Sequence, residues 1–222
     1  MELIYLKIPT FIIMNINPEI GKNEYITSLL IINAFMTDFN KQKLTLTISR
    51  NYIMKNKLTT ETMKYHGKSI INELQQSATV YIEDEQIQLF EKILQHEDSY
   101  TITISEKIRQ ILNPDHSFVI YFIEQLRDIK KYKCMKFYCL LKIWMDYHEY
   151  VCHLKWLRWY LNAVNIRNCD FTQIITEFVQ ELKQSDISIK VVKLKDSCDK
   201  RKITKFTFNV FNNRTELNNE GV

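Results

Sequence analysis

Asn168, Thr172, Gln173 and Thr176 stand in and just before a stretch, residues 171–184, that reads as a helix. A Gln amide can bond bidentately to adenine, and a Thr hydroxyl can meet a base or a phosphate. In a helix that enters the major groove, residues near its N-terminus reach the base edges. Further along, Lys193, Lys195, Lys200, Arg201, Lys202 and Lys205 crowd the polar loop KDSCDKRK and its flanks. A cationic turn of this kind can lie along phosphates or enter the minor groove; lysine on an edge strand also blocks aggregation. Within it, Lys195, Lys200, Arg201 and Lys202 are the candidate contacts. Lys130, Lys131, Lys133 and Lys136 lead into another helix and are placed to position phosphate, or simply mark an exposed helix start. Lys64, Tyr65 and Lys68 share the exposed face of an earlier helix, where they would touch a second groove segment or leave that region free for dimerisation. The chemistry these residues suit is noncovalent recognition of duplex DNA.

Catalysis is not expected. Only three glycines occur, Gly21, Gly67 and Gly221, whereas a phosphate-binding P-loop or a dinucleotide fingerprint needs them clustered. HExxH, GxSxG and paired-carboxylate motifs are missing, and His148 and His153 lack the His-hydrophobe-His spacing of a nicking enzyme. Cys134, Cys139, His148, Cys152 and His153 include no C-x-x-C pair, so no metal is expected, and no cofactor either. The aromatic segment WLRWY (156–160) has helical spacing that puts Trp156 and Tyr160 on one face, which suits a core better than a base-stacking platform.

The apolar fraction of 45% supports packed cores, and the net charge is only +4. Its distribution is more informative: residues 127–160 carry eight Lys/Arg against three Asp/Glu, and residues 185–211 carry seven against three. Residues 83–98 are acidic, with Glu83, Asp84, Glu85, Glu91, Glu97 and Asp98 against Lys92. An odd number of cysteines in apolar or helical contexts suits free thiols in a reducing compartment. There is no run of 18 apolar residues, and the apolar start lacks a basic n-region and a cleavage site, so the expected location is the cytoplasm, away from membranes.

The elements that carry these residues follow from periodicity. Residues 23–39 read as a buried helix, and 43–48 alternate with strand period. Residues 49–54 are ambiguous, a helical turn at most. Residues 58–77 form a helix capped by Thr59 or Thr60, with Met63, His66, Gly67, Ile70, Ile71 and Leu74 on one face. Residues 78–82 and 100–104 are strand-like, with an acidic loop between them. The connector carries Asn113–Pro114 and leads into FVIYFIEQLRDI, read as helix. The order then recurs: helices at 133–149 and 155–163, with a short strand at 151–154 between them. An amphipathic helix over 171–184 buries Phe171, Ile174, Ile175, Phe178, Val179 and Leu182, and strands at 187–194 and 203–211 close the domain. The fold class is α+β, two tandem winged helix-turn-helix domains: 1–112, a connector and helix over 113–132, 133–211, and a polar tail over 212–222.

Three stretches of the second half resemble the initiator proteins of theta-replicating plasmids. KFYCLLK presents a basic residue, an apolar one, a Tyr and a Leu pair as Lys136, Phe137, Tyr138, Leu140 and Leu141. FTQIITEFVQEL looks like the family's recognition helix, ending in Glu181–Leu182, and residues 185–210 look like its closing hairpin with a basic turn. Lys200 replaces a frequent Gly, Glu177 stands where a basic or Pro-bearing middle is usual, and Tyr132 is displaced by one, so the resemblance is that of a distant member or a relative with a changed role. The resemblance implies binding to direct repeats in an origin, recruitment of host replication proteins, and homodimers joined through the first domain. Two other functions fit the same residues: a winged-helix transcriptional regulator acting at an operator, and a protein-interaction module that does not touch DNA.

Overall fold

The computed structural model describes residues 5–37, 43–55, 71, 73–113, 117–199 and 202–213. The chain forms two compact units, Met1–Arg127 and Asp128–Val222, of mixed helix and strand.

The first unit opens with strand β1 (Tyr5–Pro9), helix α1 (Thr10–Asn15) and helix α2 (Lys22–Thr37). Helix α2 is apolar on nearly every side, and the residues from Tyr25 to Asn33 are all buried, as expected of a helix enclosed by its neighbours. Its buried amide is satisfied from two directions. Asn33 Oδ1 accepts from the Lys7 backbone N–H at 2.7 Å, and its Nδ2 donates to the Tyr52 hydroxyl at 3.1 Å. Strand β2 (Thr45–Ser49) and helix α3 (Arg50–Lys55) follow, and residues 73–77 are helical. Most of the helix read over 58–77, with Lys64, Tyr65 and Lys68, lies outside the described residues.

The acidic stretch read as a loop holds two strands. β3 (Thr79–Ile82) pairs with β4 (Glu85–Gln88), and β5 (Lys92–Gln95) pairs with β6 (Ser99–Thr103). Val80 faces Ile87, and Ile93 faces Ile102, across antiparallel ladders. Surface charge hid this short alternation. Glu83 and Asp84 connect β3 to β4 with φ of 49° and 67°, the geometry of a two-residue type I′ turn, which favours Asn-Gly. Replacing the pair by Glu83→Asn and Asp84→Gly is expected to stabilise the first unit by about 1 kcal/mol through relief of left-handed backbone strain. An unchanged or lower urea midpoint would contradict this.

Helix α4 (Glu106–Ile111) starts at Ser105, whose hydroxyl accepts from the Ile108 N–H. The segment FVIYFIEQLRDI then divides: strand β7 (Phe118–Phe122) precedes helix α5 (Ile123–Asp128). The expectation of continuous helix is corrected here. Val119, Ile120 and the three aromatics favour a pleated surface, and β1, over one hundred residues earlier, supplies the antiparallel partner, Ile8 facing Val119.

The second unit runs from helix α6 (Tyr132–Lys142) through a 3₁₀ turn to strand β8 (Glu149–His153). Helices α7 (Leu154–Tyr160) and α8 (Asn168–Glu181) lead into the long hairpin of β9 (Ile187–Lys195) and β10 (Ile203–Asn212). Phe206, Phe208 and Val210 alternate inward and are completely buried. Phe208 meets Phe137 of α6 edge-on at 5.2 Å, Phe137 meets Phe178 of α8 at 5.9 Å, and Phe206 meets Phe171 of α8 at 6.5 Å. One aromatic cluster thus fixes α8 against the sheet. Trp156 and Tyr160 stack at 5.2 Å; Tyr160 is fully buried in the core and Trp156 is half-buried beside it.

The two units repeat one strand arrangement. The first has sheet order β2-β6-β5 and the second β8-β10-β9, each antiparallel, with the last strand in the centre. In each, a helix precedes the first strand and helical segments precede the closing hairpin.

Candidate nucleic-acid interface

Helix α8 buries Phe171, Ile175 and Phe178 and leaves Asn168, Gln173 and Thr176 exposed, with Thr172 half-buried. The four polar candidates therefore share the helix that the aromatic cluster holds in place. Thr172 Oγ1 donates to the Asn168 carbonyl at 2.9 Å and Thr176 Oγ1 donates to the Thr172 carbonyl at 3.0 Å. Each hydroxyl proton is thus committed to the preceding turn. What remains outward is an acceptor oxygen and a methyl group, which suit an adenine or cytosine amino group and a thymine methyl. The Gln173 amide reaches toward Glu177 at 3.4 Å.

Both ends of α8 are anchored. At its start, Arg158 of α7 donates to Asn168 Oδ1 at 2.6 Å and to the carbonyls of Ala163, Val164 and Ile166. At its end, Glu181 Oε1 accepts from the backbone N–H groups of Lys130 and Lys131 at 2.8 and 3.1 Å, next to the start of α6. Glu177 pairs with the Lys131 ammonium at 2.8 Å. The hydrogen bond from Lys131 holds the Glu177 carboxyl below its usual range, and the same bond raises Lys131, so both stay ionised at neutral pH. Asp170, in the first turn of α8, is matched by Arg167 at 2.8 Å.

The basic group around the start of α6 is thus dispersed rather than displayed. Lys130 is exposed, Lys131 is ion-paired, and the half-buried Lys133 donates to the Asn162 carbonyl at 2.7 Å. Lys136 requires a correction: it is 1% exposed and cannot meet a phosphate. Its ammonium lies 4.8 Å from the centre of the Tyr160 ring, and burial pushes its pKa down to about 7. Helical phase places it inward, between Cys134 and Met135 on one side and Phe137 and Tyr138 on the other, all of them buried.

On the hairpin, Lys190, Lys193, Lys195 and Lys202 are exposed, and Lys200 and Arg201 lie outside the described residues. Asp196 organises the turn, its Oδ1 accepting from the backbone N–H groups of Cys198 at 2.9 Å and Asp199 at 3.2 Å. These two bonds hold its carboxyl below the ordinary aspartate range. At the turn end of the hairpin, a cleft of about 550 Å³ is bordered by Asn168 and Lys202 together with Lys155 and Arg158 of α7. The structure thus brings Asn168, at the start of α8, and Lys202, at the end of the turn, to one concave surface.

No family model and no curated protein matches this chain. Among solved structures, the crystal structure of Pi initiator protein in complex with iteron DNA aligns with a TM-score of 0.58 and 11% identity. The alignment covers 92% of this chain and 95% of that one. This chain has the fold of the Pi initiator. That likeness runs across both units.

Arg158 escaped the reading of the sequence because WLRWY looks purely like core, and only the structure reveals four acceptors converging on its guanidinium. The roles of Glu177 and Glu181 were legible only as negatives, since phosphate would repel them. Their partners lie about fifty residues earlier, at the start of α6. No helix among the described residues is long and apolar enough to cross a membrane.

Proposed function

We propose that this chain is a plasmid-type replication initiator that binds duplex DNA through two tandem winged-helix domains. The observation that carries the reading is the fold shared with an initiator solved on iteron DNA, over nearly the full length of both chains. The order of helix, strand, two helices and hairpin in the second unit suits a winged helix. There α8 is the recognition helix, with Thr172, Gln173 and Thr176 at base edges, and the β9–β10 hairpin is the wing. Lys195, Lys200, Arg201 and Lys202 bring the wing to phosphate. The first unit adds a weaker contact through Lys64, Tyr65 and Lys68, and linkage of the two raises affinity through effective concentration. The chain acts in the cytoplasm by binding alone, without metal or cofactor. Its sites are direct repeats in an origin, where it recruits host replication proteins, and homodimers form through the first unit.

Glu177 and Glu181 weigh little in favour of a protein-interaction module, because both are engaged within the second unit. The test is fluorescence-anisotropy binding to duplexes tiled across the DNA flanking the gene, each compared with shuffled duplex over a salt series. Tight binding confined to tiles with direct repeats is expected, with a log–log salt slope of about −0.9 per phosphate contact. Preference for a single inverted repeat would favour the regulator, since palindromes mirror dimer symmetry. Absence of binding at low salt would overturn the DNA reading. On the preferred site, Gln173→Ala is expected to weaken binding by about 1–3 kcal/mol and to relax specificity at one position.

A further inference from the structure

We infer that the cleft between α7, the start of α8 and the turn end of the hairpin is a backbone clamp that seats one sugar–phosphate unit of the bound strand, with Lys155 as its principal phosphate ligand. This inference rests on the proposal that the second unit binds duplex DNA.

Three observations carry it. First, the charge on the cleft is of one sign. Lys155, Arg158 and Lys202 border it, and among the described residues no carboxylate does. Three other cations of the unit are compensated: Glu177 neutralises Lys131, Asp186 neutralises Lys142, and Asp170 neutralises Arg167. Lys202 is itself close enough to Asp196 to lower that carboxyl. Lys155 is exposed and forms no ion pair among the described residues.

Second, part of the lining is apolar. Leu154, Val164 and Ile203 contribute to it alongside the cations. A bare phosphate needs no such apolar surface, whereas the C–H face of a deoxyribose fits one while its phosphate meets the cations.

Third, the cleft is rigid and correctly placed. Arg158 has its guanidinium bound to Asn168 and to the carbonyls of the 163–166 turn, so it shapes the wall rather than seeking a ligand. Asn168 is shared between the cleft and the recognition helix. A strand whose bases meet α8 therefore carries its backbone past Lys155. Phosphate contacts of this kind fix register without reading sequence.

The experiment is a salt series on wild type, Lys155→Ala and Lys155→Glu with the preferred duplex and with shuffled duplex. Lys155→Ala is expected to flatten the slope of log K against log salt by about 0.9, the loss of one phosphate contact. Affinity should fall by a similar factor on both duplexes, and further for Lys155→Glu. Because Lys155 is exposed, the thermal transition should be unaltered. Wild-type binding with an unchanged slope in Lys155→Ala would overturn the clamp while leaving the DNA reading intact. A loss restricted to the preferred duplex would overturn it as well, since it would make Lys155 a base reader. Failure of wild type to bind any duplex would remove both.

Discussion

Lys142→Met is expected to destabilise the second unit by about 3–5 kcal/mol, the usual consequence of stranding one member of a buried ion pair. The Lys142 and Asp186 side chains are only 6% and 8% exposed and are joined directly. Tyr138 completes the arrangement: its hydroxyl donates to Asp186 Oδ1 at 2.7 Å and accepts from the Lys142 ammonium at 3.2 Å. Without Lys142, the Asp186 carboxylate keeps Tyr138 but loses its countercharge in a site with little water. Asp186→Asn should be damaging in the opposite sense, leaving a buried ammonium. The double variant Lys142→Met with Asp186→Asn should lose clearly less than the sum of the two. Urea unfolding of the four proteins measures this. Single-variant losses below about 1 kcal/mol, or strict additivity, would show that the pair is not coupled.

The second large effect concerns Lys136 and depends on pH. Its folded pKa, pushed down to about 7 by burial, lies well below the ordinary lysine value. Between these two values the unfolded chain holds a proton that the folded chain lacks, so stability rises with pH. The penalty for burying the ammonium is fully present below pH 7 and disappears as pH rises through the unfolded value. Lys136→Met retains the stem and removes the titration. It is therefore expected to be more stable than wild type near neutral pH, with the advantage shrinking by a few kcal/mol between about pH 7 and pH 10. Melting curves for the two proteins across that range check it, because all other titrations cancel in the difference. A constant gap would exclude the shift.

Lys136 also shows where the sequence stops being informative. A lysine among lysines looks like surface charge. What turns it inward is the phase of α6, which depends on which face meets Phe178 and Phe208. By contrast, α2, β2, α8 and the β9–β10 hairpin were legible, because an unbroken apolar run or a clean alternation leaves few alternatives. The β1–β7 ladder was illegible because its partners lie over one hundred residues apart and strand period is short in both. The four polar residues proposed on α8 were singled out from residue type and helix position, and the structure places them on one helix. The cleft was not, because Lys155, Asn168 and Lys202 come from three separate elements and only the packed second unit gathers them.

The anchoring of α8 at both ends has a thermodynamic consequence. Arg158 at its start and the Lys130–Lys131 amides at its end already fix the helix in the free chain. Association therefore has little chain ordering left to perform, and few residues must forfeit freedom when a ligand arrives. A helix preorganised in this way would meet the proposed DNA by docking rather than by coupled folding, so the heat-capacity change of that binding should reflect the surface covered and little else.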